Sequence, residues 1–302
     1  MEPIKDFNAL VAKLSSQAGR CRVAVVCPDD SHTQHVVERA LREGIADIIL
    51  VNGGGENPWA VAVSEHNAGH VETVYTADPD AAAAKAVEIV RQGGADVLMK
   101  GRINTDNLLR AVLNKQCGLL EPGRVLSHIT VTKIPSYNKL LVFSDAAVIP
   151  NPTLEQFEAI VGYGVEACRK LGTETPRVAL IHCTEKVSEK FPNTISYEAI
   201  KCKAAEGVFG SVAVDGPMDV KTACDAESGA LKGLASAVVG QADMLVFPDI
   251  QAGNVFYKTV TLFAGASTAG ILCGTMKPVV VASRADSDES KYYSLALACG
   301  LK

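Results

Sequence analysis

Short apolar runs rich in β-branched residues alternate along this chain with longer segments in which apolar residues recur at helical spacing. Such runs predict strands, whereas apolar spacings of three and four predict amphipathic helices. The predicted strands are 22–27, 46–51, 70–75, 96–100, 127–134, 139–145, 177–183, 210–215, 243–247 and 278–282. The predicted helices are 5–18, 32–43, 79–92, 105–116, 153–171, 194–206, 224–239, 254–267 and 288–300. This order predicts an α/β fold with a largely parallel, buried sheet.

Two neighbouring strands depart from this parallel pattern. The runs 127–134 and 139–145 are joined by the turn-rich segment PSYN, which predicts an antiparallel pair. A segment rich in proline and asparagine, 148–153, then precedes a long helix, and we expect its N-cap to be Asn151 or Thr153. The sequence therefore predicts a domain boundary near 130–150.

The composition argues against several classes of protein. With 302 residues, 48% of them apolar, the chain can form one large domain or two of ordinary size. A net charge of −5 without a long basic run argues against nucleic acid or a membrane as a partner. Nine cysteines without a C-x-x-C pair indicate a reducing compartment. Because no stretch has the apolar length of a membrane span and the N-terminus does not resemble a signal peptide, we expect a cytoplasmic protein.

Charged residues follow the predicted strand at 96–100. In open α/β sheets ligands gather beyond the carboxyl ends of the strands, so residues in these positions are site candidates. Lys100, Gly101 and Arg102 end the strand, and Thr105 is placed to cap the next helix. A helix N-terminus with two cations attracts anions, and glycine lets the backbone approach a ligand closely. Taken alone, the loop is explained at least as well by a capped helix with solvated cations.

Two other segments carry candidate ligand-binding residues. Ser127 and His128 lie in an apolar run, where a satisfied core imidazole is the more common role for a histidine. Gly253 and Asn254 follow another predicted strand, with Lys258 on the helix that they begin. These groups could face a ligand, although an N-cap role by itself also explains Asn254.

The strongest candidates follow the last predicted strand. Ser283, Arg284 and Asp286 place a hydroxyl, a guanidinium and a carboxylate where a strand becomes a helix. Arginine binds phosphate through two hydrogen bonds, and a carboxylate can accept a proton from a thiol or a hydroxyl. Taken alone, the segment is explained better by a surface ion pair, with Asp286 or Asp288 as the cap of the final helix.

Several other chemistries find little support in the sequence. It contains no G-x-x-x-x-G-K-[ST], G-x-G-x-x-G or G-x-S-x-G motif, which argues against a Walker loop, a dinucleotide fingerprint and a nucleophile elbow. His32 and His35 are three residues apart, but no further metal ligand lies close in sequence. Asp215 and Glu185 follow other strands and are ambiguous. A metal-independent transfer that handles phosphate fits the remaining residues best.

Seven segments together form a specific pattern: ADVLMKGRINTDNLLRAVL, LSHITV, FSDAAV, PNTISYEA, VDGP, PDIQAGNVFYK and VVVASRADSDESKYYSLALA. They resemble the phosphate acetyl/butyryltransferase family, its butyryl branch more than its acetyl branch, in a match that extends from about residue 20 to the C-terminus. The resemblance implies the reversible conversion of acyl-CoA and phosphate to acyl phosphate and coenzyme A. It implies coenzyme A as co-substrate, no permanently bound cofactor, no metal and no covalent acyl-enzyme.

The resemblance also implies a domain organisation. We expect two three-layer α/β/α domains of the isocitrate- and isopropylmalate-dehydrogenase-like kind, with the site in the cleft between them. The C-terminal segment of such a fold returns to the first domain, which gives a first domain of 1–134 plus 275–302 and a second of 135–274. A dimer or larger assembly of identical chains is expected.

Carried over motif by motif, the resemblance assigns roles to the residues that bind substrate. Arg284 would hold phosphate or the acyl phosphate, together with the loop at 100–105, and Ser283 would hydrogen-bond the reacting carbonyl or thiol. Fixed donors aimed at developing charge are typically worth a few kcal/mol each. The expected substrate-binding residues are Lys100, Gly101, Arg102, Thr105, Ser127, His128, Gly253, Asn254 and Lys258.

The chain departs from the family pattern at the expected base. In the acetyl branch a carboxylate further along the Ser-Arg loop deprotonates the thiol, but the chain has Ser290 at that spacing. Asp286 is the substitute candidate, and Asp288 and Glu289 are the next. The turn after the DGP motif also departs, since it reads MDVK at 218–221 where butyryl-type sequences usually carry an acid several residues on.

Two other functions remain open on the sequence alone. A non-catalytic domain of this fold that senses CoA esters would bind acyl-CoA without phosphate-dependent turnover. A related dehydrogenase would need a nicotinamide pocket and a metal-binding acid cluster, and the sequence offers neither. The length of the acyl chain does not follow from the sequence.

Overall fold

A computed structural model describes residues 2–282 and 286–302. The chain divides into two compact units. The terminal unit comprises Phe7–Leu126 and Ala269–Lys302, and the central unit comprises Ser127–Thr268 together with the described residues up to Asp6. The candidates Ser283 and Arg284 lie outside the described residues.

The strands and helices alternate along the chain, as the apolar pattern predicts. The strands are β1 Cys21–Val26, β2 Ala46–Gly53, β3 Val71–Thr76, β4 Val97–Lys100, β5 Ser127–Lys133, β6 Leu141–Ser144, β7 Arg177–Ile181, β8 Ala213–Met218, β9 Met244–Val246, β10 Ser267–Cys273 and β11 Val279–Val280. The helices are α1 Phe7–Ser15, α2 Ser31–Arg42, α3 Pro58–His66, α4 Pro79–Arg91, α5 Thr105–Val112, α6 Leu154–Lys170, α7 Pro192–Ala205, α8 Val220–Cys224, α9 Ala226–Leu231, α10 Ile250–Phe263 and α11 Asp288–Gly300.

The terminal unit is built on strands in the order β3-β2-β1-β4-β11-β10. All neighbouring pairs are parallel except β10 with β11, and β1 is buried almost throughout. Helix α11 packs with α1 and α2, whereas α4 packs with α5 and against β1 and β2. The sheet of this unit is therefore covered by helices on both faces, which explains why β1 and β2 are buried almost without alternation.

The central unit has the strand order β5-β6-β9-β7-β8. Strands β5 and β6 are antiparallel, as predicted, and the other pairs are parallel. Alternate residues separate the two faces: Phe143 and Leu245 pack with side chains of α8 and α10, whereas Met244 approaches Gly164 on α6. This unit too has helices on both faces of its sheet.

Several predicted elements need correction. Strand β10 and helix α3 were not predicted, and the helix predicted over 224–239 is replaced by the short helices α8 and α9. The prediction that Gly253 and Asn254 begin a helix is wrong, because α10 already begins at Ile250 with Asp249 as its N-cap. The predicted cap Thr153 is confirmed, since it forms a capping box with Gln156.

The unit boundaries also differ from the predicted domain boundaries. Pairing with β6 keeps β5 in the central unit, so the division falls before Ser127 and not after residue 134. On the return, it falls after Thr268, within β10. The backbone hydrogen bond from Ile4 to Leu171 holds the N-terminal residues to the central unit. Within the described ranges, no helix has the length and apolar character that crossing a membrane requires.

Candidate active site

The terminal unit contains a pocket of about 580 Å³ at the ends of β1, β4 and β11. These three strands are parallel neighbours in the sheet, so their carboxyl ends meet at one edge. The pocket is lined by Asp30, His32, Thr33, Met99, Lys100, Gly101, Arg102, Ile103, Asn104, Ala282 and Lys291. It thus brings together three of the predicted residues, Lys100, Gly101 and Arg102, with others that were not predicted.

Backbone contacts with the end of β1 fix the loop after β4. The N–H of Gly101 donates to Val26 O at 2.8 Å, and the N–H of Arg102 donates to Cys27 O at 2.7 Å. A Cβ on Gly101 would lie 2.3 Å from the carbonyl oxygen of Cys27. The glycine is therefore required by close packing of two backbones, which places Lys100 and Arg102 on either side of a fixed point.

The N-terminus of α5 borders the pocket. Its N-cap is Asn104, whose side chain accepts a hydrogen bond from the N–H of Asp106. The prediction that Thr105 caps this helix is wrong by one residue, and Thr105 is the first helical residue. Because unpaired N–H groups at a helix start carry partial positive charge, the pocket wall at Asn104 favours an anion.

A buried cation completes the opposite wall of the pocket. Lys291, near the start of α11, is only 8% exposed. It acts on Asp30, the N-cap of α2, which accepts hydrogen bonds from the N–H and the Oγ1 of Thr33. Burial alone would raise the pKa of Asp30, but these hydrogen bonds and the charge of Lys291 hold it below its usual value. Asp30 is therefore an anion that faces Lys291.

The charges of the described lining residues favour an anionic ligand. They include three cations, Lys100, Arg102 and Lys291, against one carboxylate, that of Asp30. Just outside, burial raises the pKa of Asp29, and the charge of Arg102 offsets only part of this effect. A group with two negative charges, such as phosphate, matches the resulting surplus of positive charge.

A histidine and a carboxylate form a pair at the same pocket. Nδ1 of His32, in the first turn of α2, lies 2.5 Å from Oδ1 of Asp288, the first residue of α11. Nδ1 of His35 lies 3.6 Å from the other oxygen of Asp288. The described residues include no group of three or more His, Cys, Asp or Glu side chains that could hold a metal ion. The pair therefore has the arrangement of a base and the group that orients it.

In the central unit, the predicted residues Ser127 and His128 surround a buried carboxylate. Asp145 is 1% exposed and lies at the end of β6, beside the start of β5. Its Oδ2 accepts hydrogen bonds from Ser127 Oγ at 2.8 Å and from the N–H of His128 at 3.1 Å. Its Oδ1 accepts from the N–H groups of Ala147 and Val148. These four hydrogen bonds satisfy the carboxylate and fix the turn after β6.

Gly253 and Asn254 pack against that same turn. A Cβ on Gly253 would lie 2.2 Å from the carbonyl oxygen of Asp145, and Asn254 Nδ2 donates to Ala146 O at 3.1 Å. The ammonium of Lys258, further along α10, lies 4.5 Å from the centre of the Tyr257 ring. Packing accounts for Gly253 and Asn254, and their contact with a substrate stays a prediction.

The segment before α11 corrects one prediction and leaves another open. The N-cap of α11 is Ser287, which accepts a hydrogen bond from the N–H of Ser290, so neither Asp286 nor Asp288 is the cap. Asp286 is half-buried one residue earlier. Ala282, the last described residue before Ser283, lines the pocket. The roles of Ser283 and Arg284 stay predictions.

Sequence reasoning missed Lys291, Asp145 and the pairing of His32 with Asp288. For Lys291 a signal was present, because it begins a run of nine consecutive buried residues, Lys291–Cys299, in which a lysine is unusual. For His32 the partner is distant in sequence, since Asp288 follows it by 256 residues, and Ser127 precedes its partner Asp145 by 18. No local pattern could have identified them.

Comparison with known proteins adds a relationship over almost the whole chain. The family model described as phosphate acetyl/butaryl transferase matches residues 70–299. A phosphate butyryltransferase of Clostridium acetobutylicum is 37% identical over 295 residues, which are 98% of this chain and 97% of the relative. A phosphate acetyltransferase of Thermotoga maritima is 34% identical over 278 residues, which are 91% of this chain and 93% of the relative.

A solved structure agrees with these relatives. The crystal structure of a branched-chain phosphotransacylase from Enterococcus faecalis superposes with a TM-score of 0.82 at 30% sequence identity, covering 93% of this chain and 98% of that one. The match extends over both the terminal and the central unit. The chain therefore has the isocitrate-dehydrogenase-like fold that its motifs led us to expect.

Proposed function

The chain belongs to the phosphate acetyl/butyryl transferase family and is an acyltransferase, and we propose that it exchanges a short acyl group between coenzyme A and phosphate in the pocket of the terminal unit. The reaction is acyl-CoA plus phosphate to give acyl phosphate plus coenzyme A, and it is reversible. The observation that supports the location is the surplus of positive charge around the pocket, from Lys100, Arg102 and Lys291.

The described cations support the proposal that phosphate binds in this pocket. Lys291 is buried and so keeps a fixed direction, whereas Arg102 is exposed at the mouth and can offer two parallel hydrogen bonds. The start of α5 adds unpaired backbone N–H groups. In the proposed function Arg284 joins this set and Ser283 donates to the reacting carbonyl, as their match to the family motif implies.

The transfer proceeds in a ternary complex. The thiol of coenzyme A loses its proton and attacks the carbonyl carbon of the acyl phosphate, and the bond from that carbon to the phosphate oxygen breaks. The cations stabilise the charge that develops on the leaving phosphate. Holding both substrates in register supplies much of the remaining acceleration.

We propose a short acyl chain, with butyryl before acetyl. The support is the 37% identity to a phosphate butyryltransferase, compared with 34% to a phosphate acetyltransferase. The two values are close, so rates with both esters decide the preference. The expected assembly, a dimer or larger, stays a prediction.

The test is thiol release from acetyl-CoA and butyryl-CoA with and without phosphate. We expect release that requires phosphate and is faster with butyryl-CoA. Arg102→Ala should lower kcat/KM for phosphate by roughly ten- to a hundredfold, because one charged hydrogen-bonding group is worth about 1.5–3 kcal/mol. Arg110→Ala changes an exposed arginine on α5, the helix that follows the Arg102 loop; it lies outside the pocket lining, so it is the matched control and should leave the rate unchanged.

The opposite result would favour the non-catalytic alternative. A protein that senses CoA esters would bind butyryl-CoA but release no thiol when phosphate is added. Calorimetric titration with butyryl-CoA, run beside the release assay, separates that outcome from a preparation that has lost its structure.

A further inference from the structure

The pairing of His32 with Asp288 defines the state of the imidazole ring. Nδ1 of His32 lies 2.5 Å from Oδ1 of Asp288. A carboxylate accepts hydrogen bonds, so the neutral ring carries its proton on Nδ1 and donates it to Asp288. The other nitrogen, Nε2, is then left with a lone pair that can accept a proton. The ring belongs to a residue that lines the pocket.

We propose that His32 is the general base that removes the proton from the thiol of coenzyme A, and that Asp288 is the residue that positions it. This inference rests on the proposed function. It assigns a catalytic role to a residue that the sequence suggested only as half of a weak metal pair. It also explains how the chain can work with a serine, Ser290, at the spacing where the acetyl branch has its carboxylate.

The proton balance of the step is complete. The S–H bond of coenzyme A breaks, the proton goes to Nε2 of His32, and the sulfur forms a bond to the carbonyl carbon. The carbon–oxygen bond to phosphate breaks, and the departing phosphate takes the proton from His32 and leaves as HPO₄²⁻. In the opposite direction His32 receives the proton of HPO₄²⁻ and gives it to the leaving thiolate.

Acidity favours an imidazole over the nearby carboxylates as the base. A free thiol has a pKa of about 8.5, an imidazole about 6.5 and an aspartate about 3.9. Proton transfer to an imidazole is therefore uphill by about 2 pKa units, compared with more than 4 for an ordinary carboxylate. A base with its pKa near the working pH is the more effective catalyst.

Charged groups on both sides of His32 affect this proton transfer. Asp30, at the start of α2, and Asp288 both favour the imidazolium that forms. Lys291 and, across the pocket, Lys100 and Arg102 oppose it. Of these groups only Asp288 bonds to the ring of His32 in the described structure, so it has the largest effect on orientation.

The same helix provides a matched control. His35 lies one turn after His32 and approaches the same carboxylate, with Nδ1 3.6 Å from Oδ2 of Asp288. It does not belong to the pocket lining. The two histidines therefore share a helix, a partner and an exposed surface, and they differ in access to the pocket.

The experiment measures the pH profile of thiol release with phosphate for His32→Asn, Asp288→Asn and His35→Asn. Asparagine keeps a donor near the position of Nδ1 but removes Nε2, so His32→Asn should lower kcat at pH 7 by about 10²-fold or more. The loss should shrink towards pH 9, where the free thiol ionises without a base. Asp288→Asn should give a smaller loss with the same pH trend, and His35→Asn should stay within twofold.

Two further measurements support the assignment. Added imidazole should restore part of the activity of His32→Ala, because it can supply the missing base. Calorimetric titration with inorganic phosphate should give the same affinity for His32→Asn as for the wild type. If His32→Asn does not fold, His32→Gln takes its place in the profile.

The outcomes separate this proposal from the proposed function. Thiol release by the wild type that requires phosphate, with His32→Asn within threefold at every pH, would overturn the role of His32 and leave the transferase intact. An equal loss in His35→Asn would also overturn it, since a general effect of helix α2 would then explain both. No phosphate-dependent release by the wild type would remove the proposed function and this proposal together.

Discussion

The strand ends of the terminal unit enclose open space, whereas those of β5 and β6 in the central unit are closed by a buried network. In the terminal unit Lys100 and Lys291 line a pocket of about 580 Å³. In the central unit Ser127 and the backbone of His128 are bonded to the carboxylate of Asp145, which is 1% exposed. Polar residues that look alike in the sequence thus serve binding in one unit and internal order in the other.

The difference comes from what each strand pairs with. Strands β1, β4 and β11 are parallel neighbours, so each leaves the sheet at the same edge and a loop or helix follows there. Strand β5 is antiparallel to β6, which brings the start of one beside the end of the other. Side chains at that edge then reach each other directly, and a single carboxylate can bond to four donors. Strand direction therefore decides which polar residues remain available to a ligand.

The largest effect is expected from removing the carboxylate of the central network. Asp145→Ala leaves four donors without their acceptor, two of them backbone N–H groups of the turn after β6. We expect the free energy of unfolding, measured with urea, to fall by about 4 kcal/mol, because hydrogen bonds to charged groups contribute about 1.5–3 kcal/mol each and do not add fully.

Ser127→Ala is a milder change to the same network and serves as the comparison for Asp145→Ala. It removes one hydroxyl donor and leaves the three N–H donors in place, so a loss of about 1 kcal/mol is expected. If Asp145→Ala instead kept its stability and lost only catalysis, the network would have to be described as a binding site, and the contrast with the terminal unit would disappear.

The next largest effect concerns the buried cation of the terminal unit. Lys291→Met keeps the apolar part of the side chain and removes the charge, so kcat/KM for phosphate should fall by roughly 10²-fold, which is about 2.7 kcal/mol. The thermal midpoint should change little, because relief from burying an ammonium offsets the lost attraction between Lys291 and Asp30.

Variants of two other lysines serve as comparisons for Lys291→Met. Lys85→Met, on the exposed face of α4, removes a charge that pairs with Glu88 outside the pocket lining, and it should change neither kcat/KM nor the thermal midpoint. Lys258→Met tests whether the central unit also contributes to binding, since Lys258 was expected at the site and lies over the ring of Tyr257. A loss from Lys258→Met as large as that from Lys291→Met would extend the binding surface to the central unit.

A smaller effect is expected at a glycine that packing requires. Gly253→Ala places a methyl group 2.2 Å from the carbonyl oxygen of Asp145, and backbone on both sides resists the shift. We expect a loss of about 2 kcal/mol in unfolding free energy, within the range of overpacked cores. Gly162→Ala, in helix α6 with no atom within 4 Å of the new methyl, should instead raise stability by up to about 1 kcal/mol.

The fold was largely predictable because its signal is local. Apolar runs of four to eight residues and helical periodicity are visible without any tertiary contact, and they gave the α/β class and most elements. Strand β10 was not predicted because it begins with Ser267, Thr268, Ala269 and Gly270, which do not form an apolar run. Helix α3 was not predicted because its nine residues are too few to form a long periodic pattern.

The site was predictable only where it follows a strand directly. Lys100 and Arg102 occupy such positions, and the structure places both in the pocket lining. Lys291 reaches the pocket through the position of α11 beside α2, and Asp145 meets Ser127 through an antiparallel pairing. These contacts join residues far apart in the chain, so their geometry depends on the assembled unit and not on any spacing in the sequence.

The smallest effect is expected at a type of helix cap that occurs once in each unit. Asp30 in the terminal unit and Asp219 in the central unit each cap a helix and accept hydrogen bonds from the N–H and the hydroxyl of a threonine three residues on, Thr33 and Thr222. Burial would raise the pKa of Asp219, but Lys232 and Thr222 lower it from 3.8 to about 2. The pKa of Asp30 is also lowered, with Lys291 in the place of Lys232.

A lowered pKa in the folded state means that each carboxylate stabilises the fold above its ordinary pKa and loses that contribution as the pH falls. For Asp219 the loss should extend from about pH 4 to pH 2. Because Asp219 is partly exposed, solvent screening limits its contribution to about 1 kcal/mol. Between pH 4 and pH 2 the free energy of unfolding of Asp219→Asn should therefore fall by about 1 kcal/mol less than that of the wild type. The Asp30→Asn profile should flatten in the same sense, and phosphate binding should change in Asp30→Asn alone, since Asp30 lines the pocket.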